Sequence, residues 1–328
     1  MAYLSKMYLF SRYGGVPNMD VLRLTLRQLQ IFVAVARSGS TTAASVDVSL
    51  SQSATSSALN ELERLLSLQL FDRAGKRLLL NDNGRALLPR ALALLDGAAS
   101  IELMSRDGSA QAQSLRIGAS TTIGNYVLPK LLARYVAAQQ PGKASAWRSK
   151  VVIENTAAIC AAVAAFELDV GLIEGPCHQA ALAVTPWRQD EMVVVASPAS
   201  DLARMSLAGE RAPLRTLREQ VWLVRESGSG TREATDQSLL PHLRSYRRSI
   251  ELGSSEAIKH AAEAGLGVAC LSSWVVNEAV EAGRLCRIAT TLPRQLRQCH
   301  LVVHRDKQPT PALLAFVDQM SDGAGSAP

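Results

Sequence analysis

The chain has 328 residues, more than one hydrophobic core usually serves at roughly 150 residues per domain, so two or three domains are expected. With 48% hydrophobic and 20% charged residues it reads as a soluble globular protein, and it has no apolar run near the ~18 residues that would suggest a bilayer span. A formal net charge of +6 suggests a polyanionic partner, yet residues 19–104 hold 9 basic against 8 acidic side chains, so a nucleic-acid site must rest on local placement of a few groups.

Five cysteines, at 160, 177, 270, 286 and 299, show no C-x-x-C spacing. They point to reduced thiols in a cytosolic protein rather than to disulfides or zinc. In residues 1–18 the apolar run Met7-Tyr8-Leu9-Phe10 is too short for the core of an export signal. Residues 1–18 are therefore read as a disordered extension or as a start codon placed too early, with structure beginning near Met19.

Leu26, Leu29, Phe32, Val33 and Ala36 recur at spacings of three and four, the period of an amphipathic helix, and Thr25 with Gln28 fits a capping box at its start. Ser38-Gly39 ends that helix. Ser40 can cap a second, TTAASVD, and Val48 to Ser51 make a tight turn into SQSATSSALNELERLL. In this third helix Ala54, Ala58, Leu59, Leu62, Leu65 and Leu66 are expected to point inward. Helix, tight turn and helix form the DNA-reading motif. Its candidate contacts are Thr41, Ser51, Gln52, Ser53, Thr55, Ser56 and Ser57, small hydrogen-bonding side chains suited to base edges and phosphates. A solvated, serine-rich helix start explains the same residues without DNA.

LQLFDRAGKRLLLNDNG reads as a hairpin wing whose Arg73, Lys76 and Arg77 suit phosphate contact. From Asn83 to about Met104 a long helix carries the stripe Leu87, Leu88, Leu92, Leu95, Ala98 and Ala99. The simplest partner for such a stripe is its copy in a second subunit, which would set two reading heads on a two-fold DNA site.

The stretch LRQLQIFVAVARSGSTTAASVDVSLSQSATSSALNELERLLSLQLFDRAGKRLLLNDNGRALL resembles the N-terminal domain of LysR-type transcription regulators throughout. The resemblance implies Phe32, Ala43 and Ala44 in the core, Gln52 and Ser56 on the reading helix, Leu62-Glu63 behind it, and Leu70-Phe71-Asp72-Arg73 leading into the wing. The family commonly has proline where Ser53 stands and basic residues near Ser57, Asn60 and Glu61. These departures imply weaker binding per head and more reliance on oligomerisation.

Polar residues 105–113 separate the long helix from a pattern in which apolar runs alternate with helical segments. LRIGAS, VVIEN, DVGLIEG, EMVVVAS and WLVRES are extended runs, and helices are expected from Ile123, Thr156 and Gly230. This is α/β architecture with mostly parallel strands. Ligands bind such sheets beyond the strand C-termini, where helix N-termini offer free N–H groups. The residues there are Ser120, Thr121, Thr122, Asn155, Thr156, Glu174, Glu226, Ser227, Gly228, Ser229 and Thr231. Each has the plainer explanation of capping or turn formation. Several converging on one cleft would make a cradle for a small anion, with Glu174 and Glu226 accepting hydrogen bonds or pairing with Arg232 or Lys259.

Residues 114–320 are similar to LysR-type effector domains, which share the two-lobed fold of periplasmic solute-binding proteins. GASTTIGNYVLP, GLIEGP, RESGSGTRE and GSSEAIKHAAEAGLGVACL look closest to a branch of the family tied to sulfite. The resemblance implies a sulfur oxoanion, sulfite first, as the ligand. It also implies a homotetramer, a dimer of dimers, holding promoter DNA in the bacterial cytoplasm, associated with the nucleoid through that DNA.

The expected organisation is therefore a winged helix-turn-helix over 19–82, a linker helix and hinge over 83–112, and an effector-binding domain over 113–328. Its first lobe takes about 113–187 and 292–328, and its second about 188–291. An enzyme is not expected. His300 and His304 lie in a strand-like stretch without H-E-x-x-H, and Gly228-Ser229-Gly230 has neither P-loop nor dinucleotide spacing. No metal or cofactor is implied. A solute-binding protein is the rival reading, opposed by the helix-turn-helix and the lack of an export signal. A regulator sensing an organic acid is the other alternative.

Overall fold

The computed structural model describes residues 23–75, 77–106, 115–138 and 149–322. The extension over 1–18, Lys76 of the wing and hinge residues 107–112 lie outside the described residues.

Helix α1 (Leu26–Ser38) starts at a reciprocal cap. Thr25 Oγ1 accepts from Gln28 N–H at 3.2 Å while Gln28 Oε1 accepts from Thr25 N–H at 2.9 Å. It ends at Gly39, whose φ of 66° is the left-handed conformation that glycine adopts at least cost. Its buried face is wider than the expected stripe: Ile31, Ala34 and Val35 join Leu29, Phe32 and Val33, whereas Leu26 is exposed. The reason is that α2 (Thr41–Asp47), α3 (Gln52–Leu66) and the wing all pack on it.

Two expectations on these helices fail by one residue each. Ala43 is exposed and only Ala44 meets its neighbour, and on α3 Ala54 is exposed while Thr55 is buried. The Thr55 hydroxyl avoids an unsatisfied burial by donating to Ser51 O at 3.0 Å. Beyond α3, the Glu63 carboxylate accepts from Leu70 N–H at 2.7 Å and ties the helix end to the wing. The wing pairs β1 (Phe71–Ala74) antiparallel with β2 (Arg77–Leu80), and the Phe71 ring lies 5.6 Å from that of Phe32. Gly84 lets the start of α4 (Asp82–Arg106) pass close to the wing, since a Cβ there would lie 2.2 Å from Leu70 O.

Within α4 the stripe expected to face a second subunit is largely used inside the first body. Leu87, Leu88, Leu92 and Leu95 pack against its core, while Leu94 and Ile101, seven residues apart, are 55% and 68% exposed. The chain divides into two compact bodies between Leu95 and Asp96.

The second body is built on one sheet of nine strands among the described residues. A parallel trio, β3 (Leu115–Ser120), β4 (Ser149–Glu154) and β5 (Val170–Glu174), forms the first lobe. A second parallel trio, β7 (Val221–Arg225), β8 (Arg248–Leu252) and β9 (Val268–Ser272), forms the other. Two long strands, β6 (Leu182–Ala196) and β11 (Gln295–His304), run antiparallel between the trios, with the two-residue β10 (Cys286–Arg287) beside β6. The sheet is thus parallel within each lobe and antiparallel where the lobes join. β6 begins nine residues before the expected EMVVVAS, because Leu182–Asp190 pairs with β11 although only Leu182 and Asp190 of that stretch are buried.

In the first lobe, α5 (Thr121–Tyr126), α6 (Leu128–Ala138), α7 (Thr156–Ala164) and α13 (Pro311–Asp322) cover the sheet, with Tyr135 and Phe316 edge to face at 5.4 Å. In the second lobe, α8 (Asp201–Leu207), α9 (Leu214–Arg218), α10 (Gly230–Leu243), α11 (Ser255–Glu263) and α12 (Ser273–Glu281) do so around the fully buried Trp222. The Trp222 indole N–H finds Leu217 O at 2.9 Å.

A charged cluster closes the lower edge of the first lobe. Arg116 grips both Asp169 oxygens at 2.7 and 3.1 Å and reaches Asp96 at 2.9 Å, while Lys307 lies 2.6 Å from Asp96 and 2.8 Å from Asp169. Burial opposes the Asp169 charge, yet the hydrogen bonds from Arg116 and Lys307 outweigh it and hold the carboxyl below the usual carboxylate range. A carboxyl depressed on folding contributes stability above its unfolded value of about 4 and loses it as pH falls below that. Asp169→Asn is expected to cost about 3 kcal/mol at pH 7. Urea unfolding followed by tryptophan fluorescence, to which only the second body contributes through Trp147, Trp187, Trp222 and Trp274, should show that gap, and the gap should narrow at pH 3.

Candidate functional site

The reading face of α3 begins at its cap. Ser51 Oγ accepts from Ala54 N–H at 3.2 Å and lies 3.1 Å from Ser53 Oγ. Gln52 Nε2 donates to Thr41 Oγ1 at 3.3 Å across the turn, which holds the Gln52 amide beside the start of α2. Ser51, Gln52, Ser53 and Ser57 are exposed, Thr41 and Ser56 half-buried. Thr55 is withdrawn from this set, because its side chain is fully buried in the helix-turn-helix core. Arg73 and Arg77 are exposed on the two wing strands, Arg77 opposite Ala74 at the tip. This face offers hydroxyls, one carboxamide and two guanidinium groups on a rigid frame, the functional groups that phosphates and base edges accept.

The second candidate site is the cleft between the two lobes of the effector body. The predicted strand-end residues do converge there, but most of their hydroxyls are already engaged. Ser120 Oγ donates to the buried Glu174 carboxylate, so α5 starts without a side-chain cap. Thr156 Oγ1 donates to Glu174 O at 3.0 Å and accepts from Gly230 N–H at 3.2 Å. Asn155 and Ser229 cap their own helices, accepting from Ala158 and Arg232 N–H. Thr231 Oγ1 accepts from Arg297 at 2.9 Å. Thr122 is different: its hydroxyl is buried and has no hydrogen-bond partner. Ser227 and Gly228 are exposed on the loop before α10.

The cations are not those anticipated. Arg225, at the end of β7 and 2% exposed, holds Glu226 through Nε at 2.7 Å and a terminal nitrogen at 2.8 Å. It also reaches Ser255 Oγ at 2.9 Å and Thr121 Oγ1 at 3.4 Å. Burial works against the Glu226 charge, but Arg225 and Asn155 outweigh it and hold its carboxyl below the usual range. Arg232, proposed as a partner of these glutamates, instead bonds Asp236 at 2.8 Å and Glu251 at 3.2 Å. Lys259 pairs with Glu256 at 2.7 Å and donates to Tyr126 Oη at 3.1 Å. Tyr126 in turn donates to Glu256, and burial first, then that hydrogen bond, pushes the phenol up to about 12.

Beneath the cleft Arg297 of β11 and Asp190 of β6 are register partners, joined at 2.7 Å and almost fully buried, with Ser272 Oγ donating to Asp190 at 2.9 Å. Burial disfavours the Arg297 charge, but Glu174 and Asp190 outweigh it and raise the guanidinium's pKa. Arg225, Arg297, Asp190, Tyr126 and Ser255 were missed from sequence. An arginine ending an apolar run, as in WLVRES, was the only available signal, since a buried arginine inside the sheet implies a polar cleft behind it.

The lobes touch across this cleft through Gly228 O with Ala157 N–H at 3.0 Å, Gly230 N–H with Thr156, Arg225 with Thr121, and His178 with Glu233 at 3.2 Å. His300 lies in β11 and contacts Gly175 O at 3.0 Å, and His304 is buried against Phe166. Among the described residues, no group of three or more His, Cys, Asp or Glu could hold a metal ion, and no helix is long and apolar enough to cross a membrane.

A helix-turn-helix with a wing and a two-lobed domain joined to it are the parts of a DNA-binding regulator. Residues 26–85 match the bacterial regulatory helix-turn-helix proteins of the lysR family, and residues 108–325 match the LysR substrate binding domain. The chain belongs to the LysR family of transcription regulators. It is 47% identical over 299 residues, 90% of this chain and 97% of the other, to the uncharacterized HTH-type transcriptional regulator YeiE of Escherichia coli K12. It is 29% identical over 252 residues, 76% of this chain and 81% of the other, to the regulator CysL of Bacillus subtilis. Its fold is similar to that of ArgP from Mycobacterium tuberculosis (TM-score 0.68, 17% identity, 92% and 98% of the two chains) and of full-length CbnR solved with its target DNA (TM-score 0.56, 20% identity, 91% and 99%).

At Gly230 the lobes lie in close contact, since a Cβ there would lie 1.8 Å from Glu174 O and 2.7 Å from Thr156 Oγ1. Gly230→Ala must therefore move the start of α10 away from the first lobe. Its expected signature is a melting temperature lowered by several degrees, about 1–3 kcal/mol of overpacking, together with a larger radius of gyration in X-ray scattering.

Proposed function

We propose that this regulator binds promoter DNA as a dimer of dimers in the cytoplasm, on the nucleoid, and that a small oxoanion in the effector cleft sets its activity. The observation that carries the ligand reading is the buried, unpartnered Thr122 hydroxyl, at the uncapped start of α5, next to Thr121 and the Arg225 guanidinium. An unsatisfied buried donor costs about 1–3 kcal/mol, which a bound oxygen ligand would recover. Amides at a helix start and a guanidinium fork suit a small oxoanion that offers several oxygen acceptors.

A sulfur oxoanion, sulfite first, is the ligand proposed, on the resemblance of GASTTIGNYVLP, GLIEGP, RESGSGTRE and GSSEAIKHAAEAGLGVACL to a branch of the family tied to sulfite. An organic acid is the second reading. It is favoured by one detail, that Arg225 already holds a carboxylate, Glu226, in a two-point grip. In either case no cofactor is required. Ser120, Thr121, Thr122 and Asn155 are proposed to line the ligand, with Glu226 at the edge of the site on Arg225. Thr156, Glu174 and Thr231 hold the two lobes in place around it, and Ser229 caps α10.

On DNA, Ser51, Gln52, Ser53, Ser56 and Ser57 are proposed to meet the major groove, with Thr41 orienting Gln52 and the wing arginines on flanking phosphates. Pairing through the Leu94 and Ile101 face of α4 would set two heads on a two-fold site. Ligand control then requires that the cleft bind one tetramer arrangement better than another, typically by about 1–3 kcal/mol.

Two measurements test this reading. Ser56→Ala and Arg73→Ala should weaken promoter binding in a mobility-shift assay and leave ligand affinity alone, whereas Thr122→Val should do the reverse. If all of these changes act alike, the two sites are not separate. Thermal unfolding with sulfite, sulfate, thiosulfate, phosphate and acetylserine at matched ionic strength should show a selective rise with one sulfur oxoanion, worth about 2.7 kcal/mol at a hundredfold excess over Kd. A rise with acetylserine or another carboxylate instead would establish the organic-acid reading.

A further inference from the structure

Among the described residues, the cations named at the cleft each pair with a carboxylate of the chain itself. Lys259 has Glu256, Arg297 has Asp190, and Arg232 has Asp236 and Glu251. The pair that borders Thr121 and Asn155 is Arg225 with Glu226. There the guanidinium is almost completely buried, with 2% of its side chain exposed, whereas the Glu226 side chain is 25% exposed. The carboxylate takes two charge-assisted bonds from Arg225 and one from Asn155 Nδ2 at 3.3 Å. A carboxylate held by a two-point guanidinium grip and an amide N–H, between the starts of α5, α7 and α11, occupies the position an incoming anion would need.

We propose that Glu226 is an internal stand-in for the ligand, a carboxylate that fills the Arg225 fork in the unliganded cleft and must swing out before an anion can bind. The proposal rests on the reading of the cleft as an anion site and adds the element that sets its affinity. Three features make Glu226 the group that moves. It is the first residue past the end of β7, so no ladder bond holds it. It leads into Ser227 and Gly228, both exposed, and Gly228 has a φ of 84°, a conformation that glycine adopts freely. Arg225, in contrast, is fixed by Ser255 from the second lobe and reaches Thr121 of the first. Displacing Glu226 would also release its bond to Asn155, one of the contacts that join the lobes. Ligand entry would thus alter the inter-lobe contacts through this side chain, and the affinity of the site would be weak by construction.

The test compares full-length wild type with Glu226→Gln and Glu226→Ala by calorimetric titration with sodium sulfite, sodium sulfate and sodium acetate at constant ionic strength. Glutamine keeps the shape and the Asn155 contact but removes the competing charge. The expected result is that both variants bind at least one of these anions tenfold or more tightly than wild type. If wild type binds sulfite and the variants bind it equally, the stand-in role is overturned while the sulfur reading stands. If the variants gain acetate but neither they nor wild type take sulfite, the stand-in role holds and the sulfur reading falls. Failure of every protein to bind any of the three, or failure of both variants to fold, overturns the proposal, because Glu226 is then only a structural counter-ion.

Discussion

The effector body depends on the pairing of β6 with β11 and on the ion pair, Arg297 with Asp190, set into that pairing. These two strands are what joins the parallel trios into one sheet, so both lobes hang from them. Burying an arginine and an aspartate side by side is costly unless nearly every hydrogen-bonding group finds a partner. Here Ser272, Thr231 and the nearby Glu174 charge supply most of what the pair needs. The three come from strands and helices of both lobes, so the pair also fixes where those elements stand. Removing one partner would leave an uncompensated charge in the floor of the cleft, whereas the other ion pairs of the body lie closer to solvent.

From that floor upward the polar groups are arranged in order of freedom. Glu174, Thr156 and Thr231 are locked into inter-lobe and strand contacts. Asn155 and Ser229 cap their helices. Thr122 has no partner, and Glu226 has partners but also exposure. Most polar atoms of the cleft are thus already engaged in holding its walls. The same economy explains why the inward-facing glycines matter: at Gly230 the backbone of one lobe lies against that of the other, and no side chain fits between.

The DNA-reading body follows a different logic. Its core is local, with the capping box at Thr25, the Ser40 and Ser51 caps, and the Glu63 bond to Leu70 each acting within a few residues. Such features are written in short-range sequence, and the three helices, the wing and the cap residues were all legible there. What failed was the finer assignment of faces. Ala54 and Thr55 exchanged roles, and a threonine can be buried when its hydroxyl bonds back to the preceding turn, as Thr55 does to Ser51 O.

The residue pattern by itself determined the class of protein, the helix-turn-helix and the alternation of strand and helix beyond residue 114. Those depend on periodicity, capping and turn chemistry, which act over a few residues. Only the tertiary structure decided which hydroxyls are free and which cation faces the cleft, because those answers come from residues such as Arg225 and Thr121 that lie 104 positions apart in the chain. It likewise decided that Leu87, Leu88, Leu92 and Leu95 serve their own body while Leu94 and Ile101 face outward. A helix shows its apolar spacing in sequence, but which of its faces is covered depends on what the rest of the chain brings against it.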